Sequence, residues 1–487
     1  MRSLRGCDYM SKKLLAIILF FLVLVACAIV FLQLNYFLDS DTFQSSGTQP
    51  NIVFVLTDDQ RADELQYMPQ VKQLIESKGT TFANGYVTTS LCCPSRASIL
   101  TGQYAHNHNV RSNLAPLGGF DVFNDRNTLP VWLTKAGYTT GLFGKYLNGY
   151  KDIDYIPPGW NEWNAFAESK GKNAKEDFFY NYILSENGKS VNYGNAASDY
   201  STDVLVTKVN NFIENNEEND DKPFFVYFAP LAPHKPATPA VRHVNLFNNL
   251  TTNRPPSFNE EVSDKPGWIQ RLKPLSDAES NSIDTLRKNR IRSLQAVDEA
   301  VYAIIDTLKK NGELDNTVII FMSDNGLLLG EHSIQEKNVA YEESIHVPFI
   351  IADMRQGSQQ SVSRFALNID VAPPILELAG VNQRSSIDGR SLVPFIQGLQ
   401  SDNWRKDFLF EHWAGTTSSS PRNHQGVHSQ DYVYVEYTTT GEREFYDLST
   451  DPYQLTNAVE IAAYADEIAA LKSRLNELKK CSGERCW

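Results

Sequence analysis

The chain has 487 residues, 42% hydrophobic and 11% aromatic, enough apolar material for one large domain and a smaller companion. That content excludes a disordered chain, which would be far poorer in aromatic and aliphatic residues. The formal net charge is −13, from 45 Lys and Arg against 58 Asp and Glu. It argues against nucleic acid as a partner, because phosphate backbones are held by surplus cationic side chains.

Arg2, Arg5, Lys12 and Lys13 make residues 1–13 a basic, cytoplasmic segment ahead of an uncharged apolar run, Leu14 to Leu32. About twenty apolar residues span a bilayer as a helix, and the basic flank stays in the cytoplasm. A retained membrane anchor over 14–34, followed by a polar linker over 35–50, is therefore expected. A cleaved signal peptide is the alternative, and Leu24-Val25-Ala26-Cys27 also has the form of a lipoprotein signal. On each reading the rest of the chain is extracytoplasmic. In an oxidising compartment the terminal pair, Cys481 and Cys486, can close a small loop.

From Asn51 onward strands and helices alternate. Strands are predicted over 51–56, 139–143, 223–228, 317–322 and 349–352, and helices over 68–78, 129–136, 201–215 and 291–310. The first strand, Asn51 to Leu56, is a nearly unbroken apolar run, as expected of a strand covered on both faces. The alternation predicts an α/β fold over 51–400, with a large, mostly parallel central sheet flanked by helices. The stretch 235–290, rich in Pro and Asn, reads as an irregular insertion or lid. Beyond it, short strands at 408–411, 432–437 and 444–446 and a closing helix at 461–478 predict a smaller α+β subdomain over 401–487.

In open α/β sheets ligands bind beyond the carboxyl ends of the strands. Asp58-Asp59 closely follows one buried strand and Asp324-Asn325-Gly326 another. Each alone is an ordinary turn cluster. At equivalent strand ends, their oxygens together suit a hard divalent cation, calcium before magnesium.

The segment Leu91-Cys92-Cys93-Pro94-Ser95-Arg96-Ala97-Ser98-Ile99-Leu100-Thr101-Gly102 places Pro94 in the first turn of a helix and Gly102 at its end. A helix amino terminus there, with Arg96 in its first turn, would face an anion held at Cys92. This segment is similar to the sulfatase family signature, C-x-P-S-R followed by L-T-G, in which the first cysteine is oxidised to formylglycine. The resemblance extends along the exported chain, through Gly144-Lys145-Tyr146, Pro233-His234-Lys235-Pro236 and Lys337, to Phe445-Tyr446-Asp447-Leu448.

It implies a sulfuric ester hydrolase with Asp58, Asp59, Asp324, Asn325 and the modified Cys92 around a divalent cation, and with Cys92, Arg96, Lys145, His234 and Lys337 as catalytic groups. The hydrated aldehyde would attack sulfur and later expel sulfate, where a plain serine would be trapped as a stable ester. Histidine suits the proton transfer because imidazole titrates near neutrality. A maturation enzyme that generates formylglycine is implied as a partner.

Many arylsulfatase-like members carry a histidine two positions after the motif lysine. This chain has Leu147 there, followed by Asn148. The Lys145-Tyr146-Leu147-Asn148 form and Tyr104-Ala105-His106-Asn107-His108 resemble the glucosamine-6-sulfatases and extracellular heparan sulfatases more closely. That resemblance implies a sulfated amino sugar or glycosaminoglycan-type carbohydrate as substrate, with Asn148 and His332 as substrate contacts. His106 and His108 fit either substrate contacts or ordinary loop residues. The competing readings are a formylglycine-dependent phosphonate or phosphodiester hydrolase and an inactive membrane-anchored binding protein.

Overall fold

The computed structural model describes residues 49–487 apart from 169–177, 220–221, 252–253, 358, 383–385, 400, 402, 415–419 and 421. The predicted anchor lies outside the described residues. Among those described, no helix is long and apolar enough to cross a membrane.

Ten strands form one sheet. In chain order they are β1 (Asn51–Thr57), β2 (Thr80–Tyr86), β3 (Thr139–Gly144), β4 (Glu162–Phe166), β5 (Tyr182–Glu186), β6 (Lys189–Tyr193), β7 (Phe224–Ala229), β8 (Thr317–Ser323), β9 (Phe349–Asp353) and β10 (Gln360–Leu367). Across the sheet the order is β10-β2-β9-β8-β1-β7-β3-β4-β5-β6. The central run β8-β1-β7-β3-β4 is parallel throughout. Only β9 and β5 are reversed against their neighbours, so the mostly parallel sheet expected from the alternation is present.

β1 shows why the fold is layered. Its residues are all buried, and alternate side chains point to opposite faces. Ile52, Phe54 and Leu56 share a core with the helices Cys92–Thr101, Leu129–Lys135 and Ala372–Leu378. Val53 and Val55 share another with the helices Pro69–Leu74, Ser201–Asn219 and Asp277–Lys310.

The last of these helices is longer than its apolar periodicity predicts from Ile291 onward. It starts at Asp277, because Ser276 caps it and Glu279 returns the bond to the Ser276 backbone. That Ser-x-x-Glu pattern is a capping box. The stretch 235–290 is thus irregular only as far as the cap.

The strands not predicted are those without an apolar run. β2 (TTFANGY) contains Gly85, where a Cβ would lie 2.8 Å from Phe349 Cβ, so close strand approach selects glycine there. β5 and β6 form a hairpin through Asn187-Gly188, both at positive φ, a turn signal in the sequence.

A second, antiparallel sheet consists of β11 (Asp407–His412), β12 (His424–Ser429), β13 (Tyr432–Tyr437) and β14 (Arg443–Asp447), followed by the helix Ala465–Leu478. β12 (HQGVHS), polar by composition, is a strand that no apolar pattern predicts. The hydroxyls of Tyr341, Tyr437 and Tyr446 all donate to the buried carboxylate of Glu444, at 2.6–2.7 Å. Because Tyr341 belongs to the loop after β8, this cluster ties the second sheet to the first. Phe365 on β10 also meets Phe408 on β11, ring centroids 5.2 Å apart. Cys481 and Cys486 form a disulfide.

Candidate active site

Four adjacent strands deliver the predicted groups to one place. β1 and β8 end level with one another, Thr57 paired with Ser323, so Asp58 and Asp324 emerge side by side. The Asp59 backbone N–H donates to Asp324 Oδ1 at 3.0 Å, and Asn325 Nδ2 donates to Asp59 Oδ1 at 2.6 Å. Asp59 has φ 66°, a left-handed conformation that aspartate tolerates better than most residues. Lys145 continues β3, its N–H donating to Ala229 O of β7 at 2.8 Å. Gly144 before it has φ 119°, and a Cβ there would stand 2.1 Å from the same Ala229 oxygen. His234 follows β7 on a short loop.

Cys92 opens the wholly buried helix Cys92–Thr101, which ends at Gly102 with φ 68°, as predicted. The Cys93 N–H is already taken by Asn113 Oδ1 at 2.9 Å. Arg96 lies one turn into the helix rather than in its first turn. Its guanidinium donates to Asp324 Oδ2 at 2.8 Å, to Asp58 Oδ2 at 3.3 Å and to Lys145 O at 2.8 Å.

The sulfur sits among these groups. Lys337 Nζ lies 2.8 Å from Cys92 Sγ, and Asp58 Oδ1 lies 3.6 Å from it. Lys337 also pairs with Asp59, and Lys145 with Asp58. His234 Nε2 is 3.7 Å from Asp59 Oδ2. Asp58, Asp324, Asn325 and Arg96 are fully buried, whereas the His234 side chain is 33% exposed, so the site is a closed well with the imidazole at its rim.

Burial raises carboxyl pKa values, but Lys145, His234, Arg96 and Lys337 outweigh it at Asp58 and hold that carboxyl below its usual range. At Asp59, Lys337 and His234 do the same. Burial, joined by Asp58, wins at Asp324, which is pushed up despite Arg96. Burial, reinforced by Asp58, also pushes the Cys92 thiol up to about 11, against Lys145 and Lys337. An unmodified Cys92 is therefore almost wholly protonated at neutral pH, a poor nucleophile.

The cluster is consistent with a divalent cation. Ligand atoms of Asp58, Asp59, Cys92 and His234 all lie within 4.8 Å of one another, and Asn325 and Asp324 border them. Two lysine ammonium groups rest on these carboxylates, which marks the spot as one where positive charge is favoured. Three carboxylates already face three fixed cations. A divalent ion would leave a positive surplus suited to an anionic ester.

Asn148 lies beside the site, its N–H donating to Cys93 Sγ at 3.0 Å. With Lys145, Glu168, Phe178, His234 and Lys235 it lines a cavity of about 260 Å³. His332 is elsewhere. It is fully buried, stacked on Tyr341 at 3.8 Å, and its Nδ1 contacts Glu260 at 2.5 Å. His106 and His108 pack against Glu411 and Ser98, at 2.9 and 3.0 Å, in structural positions. Arg290 is a supporting residue that no motif in the sequence singles out. It donates to the Asp59 carbonyl at 2.6 Å, to Pro233 O at 3.2 Å and to Glu64 at 2.7 Å, bracing both Asp59 and the His234 loop. The capping box at Ser276 is the signal that places it on a helix.

A parallel α/β sheet with an acidic cation cradle at its strand ends and a buried, cation-flanked cysteine defines a hydrolase of anionic esters. The chain belongs to the sulfatase family: residues 50–381 match the family model "Sulfatase", and residues 330–481 match "N-sulphoglucosamine sulphohydrolase, C-terminal". It is 35% identical over 382 residues to the extracellular sulfatase SULF-1 homolog of Drosophila melanogaster, covering 76% of this chain but 34% of that protein. It is 34% identical over 492 residues to human N-acetylglucosamine-6-sulfatase, covering 91% of this chain and 87% of that one. Among solved structures, BT4656 in complex with its substrate D-glucosamine-2-N,6-O-disulfate is similar, at 27% identity and TM-score 0.74, covering 89% of this chain and 98% of that one.

Proposed function

We propose that this protein hydrolyses a sulfate ester of a sugar, an amino sugar or glycosaminoglycan-type carbohydrate, releasing inorganic sulfate. The observation that carries the reading is the convergence on Cys92 of the signature arginine, two lysines and the Asp58–Asp59–Asp324–Asn325 cradle. The names of the relatives and the sulfated glucosamine bound in BT4656 support the sugar as substrate.

Asp58, Asp59, Asp324 and Asn325, with the modified Cys92, hold a divalent cation, calcium rather than magnesium given an all-oxygen donor set. Bound there, the cation supplies Lewis-acid stabilisation of the sulfonyl oxygens. Formylglycine at position 92 supplies a nucleophile that can release sulfate without a second attacking water. Lys145 and Lys337 hold the sulfate group and offset charge as it moves to the oxygens. Arg96 fixes Asp58 and Asp324 in register. His234 Nδ1 lies 2.6 Å from the Lys235 carbonyl, a contact that orients the ring with Nε2 toward the well, 3.7 Å from Asp59 Oδ2, as the group that passes a proton. Asn148 contacts the sugar from the adjoining cavity, with His332 acting at most indirectly from its buried position. The catalytic region is extracytoplasmic, in keeping with the terminal disulfide and the apolar run Leu14 to Leu32, within the segment 14–34 that we assign as an anchor. Maturation requires an enzyme that oxidises Cys92.

The test is sulfate release from glucosamine 6-sulfate, compared with an aryl sulfate and an aryl phosphonate. Turnover of the sugar ester is expected to exceed both. Turnover of the phosphonate alone would assign the protein to phosphonate hydrolysis and end the sulfatase reading.

A further inference from the structure

A second cavity of about 260 Å³ adjoins the site, and its walls are chain neighbours of the reacting groups. Leu91 precedes Cys92, Asn338 follows Lys337, and Asn113 is the residue whose Oδ1 holds the Cys93 N–H at 2.9 Å. His412, the last residue of β11, and Arg422 also line it. His412 is 2% exposed, and neither of its ring nitrogens has a hydrogen-bond partner among the described residues. Asn338 Oδ1 is likewise buried without a partner. Buried polar atoms are rarely left unpaired, and several around one cavity beside a reaction centre point to a ligand that completes them.

The chemistry of these atoms selects the ligand. Burial lowers the pKa of His412 well below that of an ordinary imidazole, helped by His424, 5.5 Å away across the strand pair, and by Arg422. The neutral ring offers one donor and one acceptor, and Asn338 Oδ1 is an acceptor. Two acceptors and one donor require a partner that carries hydrogens to give. A sulfate or carboxylate cannot supply them. Sugar hydroxyls and an acetamido N–H both donate, and a hydroxyl also accepts. Arg422 is engaged with Glu336 at 2.6 Å and lies over the Trp268 ring at 4.8 Å, so it is not a free anion receptor.

We infer that this cavity is a subsite for the uncharged hydroxyl and amide face of the substrate sugar, with His412 and Asn338 as its specificity-determining contacts. This rests on the sugar-ester reading above. It assigns the sulfate to the Cys92 well and an unsulfated edge of the ring to the His412 cavity.

The experiment uses the whole chain and the probe N-acetylglucosamine, followed by ligand-observed NMR titration, with H412F and H412Q as variants. Wild-type protein is expected to bind the sugar, H412F to bind it at least about tenfold more weakly, and H412Q to recover part of the loss, because a site built to hydrogen-bond a ligand rejects partners left unpaired. The Tm of H412F should be equal to or above that of wild type, since phenylalanine removes two unpaired buried nitrogens. A purely structural histidine would instead lower Tm. In turnover, H412F should raise KM for glucosamine 6-sulfate and leave an aryl sulfate within about twofold. Absent wild-type binding, or equal binding by wild type and H412F, overturns the subsite. Sugar binding that depends on His412 without sulfate release from the sugar ester upholds the subsite and overturns the proposed activity.

Discussion

Thr57 pairs with Ser323 at the carboxyl ends of two adjacent parallel strands, and that register sets Asp58 beside Asp324. Two like-charged carboxylates are thereby forced together in a fully buried place, at a steep electrostatic cost unless cations attend them. Arg96 spans both, while Lys145 reaches Asp58 and Lys337 reaches Asp59. The geometry that makes the site unfavourable in isolation makes it suitable for a divalent ion and an anionic ester.

Arg96 should be indispensable to stability as well as to turnover. Replacing it by Met leaves Asp58 and Asp324 buried without their shared partner, and breaking a buried pair typically costs about 3–5 kcal/mol. Urea unfolding of R96M is expected to show a loss of that order. R96K should recover only part of it, because an ammonium does not span two carboxylates as a guanidinium does. A loss under about 1 kcal/mol would mean that the carboxylates are not charged in the folded protein.

Chelation should abolish sulfate release, and calcium should restore it more fully than magnesium. D59N and N325A should each raise the calcium concentration needed for half-maximal activity, as titration after chelator treatment would measure. Full activity after exhaustive chelation would remove the metal role from the Asp58–Asn325 cluster.

Activity should follow the aldehyde content of position 92. With its thiol pKa near 11, an unmodified Cys92 presents thiolate at only about one part in ten thousand at pH 7. Mass spectrometry of the peptide containing Cys92, run beside sulfate release on the same preparations, should give a straight line through the origin. C92S should be inactive over repeated turnovers. Activity in a preparation that contains only the thiol would refute the role given to formylglycine.

Stability should fall in mild acid through the buried histidines. Burial holds the pKa of His108 and His332 down to about 3 and that of His424 to about 4. The unfolded chain, with histidine near 6.5, binds more protons between these values, so the stabilisation is complete above about pH 6.5 and drains as pH falls toward 3 or 4. At pH 5 each such residue costs at most about 2 kcal/mol relative to neutral pH. H332N should flatten the dependence of Tm on pH between 4 and 6.5. An unchanged slope would show that His332 protonates in the folded state.

Much of the architecture is legible along the chain. β1, β7 and β8 are apolar runs bounded by turn residues, and Gly102 closes the signature helix where predicted. β2, β10 and β12 are not legible in this way, because their side chains are chosen for neighbours far along the chain. Gly426, for example, makes room for the Phe410 ring, where a Cβ would meet Phe410 Cζ at 2.2 Å. The start of the Asp277–Lys310 helix is written in its capping box, obscured by the Pro and Asn that precede it.

The sequence by itself held the motifs: C-x-P-S-R at Cys92, acidic clusters after two buried strands, and a lysine and a histidine following two more. These are local patterns, set by what each short segment must do. Tertiary structure alone decided which groups meet. It set Lys337 2.8 Å from Cys92 Sγ across 245 positions of chain, and it enclosed His332 against Tyr341, away from the sulfur. It also left both ring nitrogens of His412 without a hydrogen-bond partner among the described residues, on a cavity lined by the chain neighbours of Cys92 and Lys337. The physical reason is that strand order and register, which no local periodicity encodes, fix the distances on which electrostatics and hydrogen bonding depend.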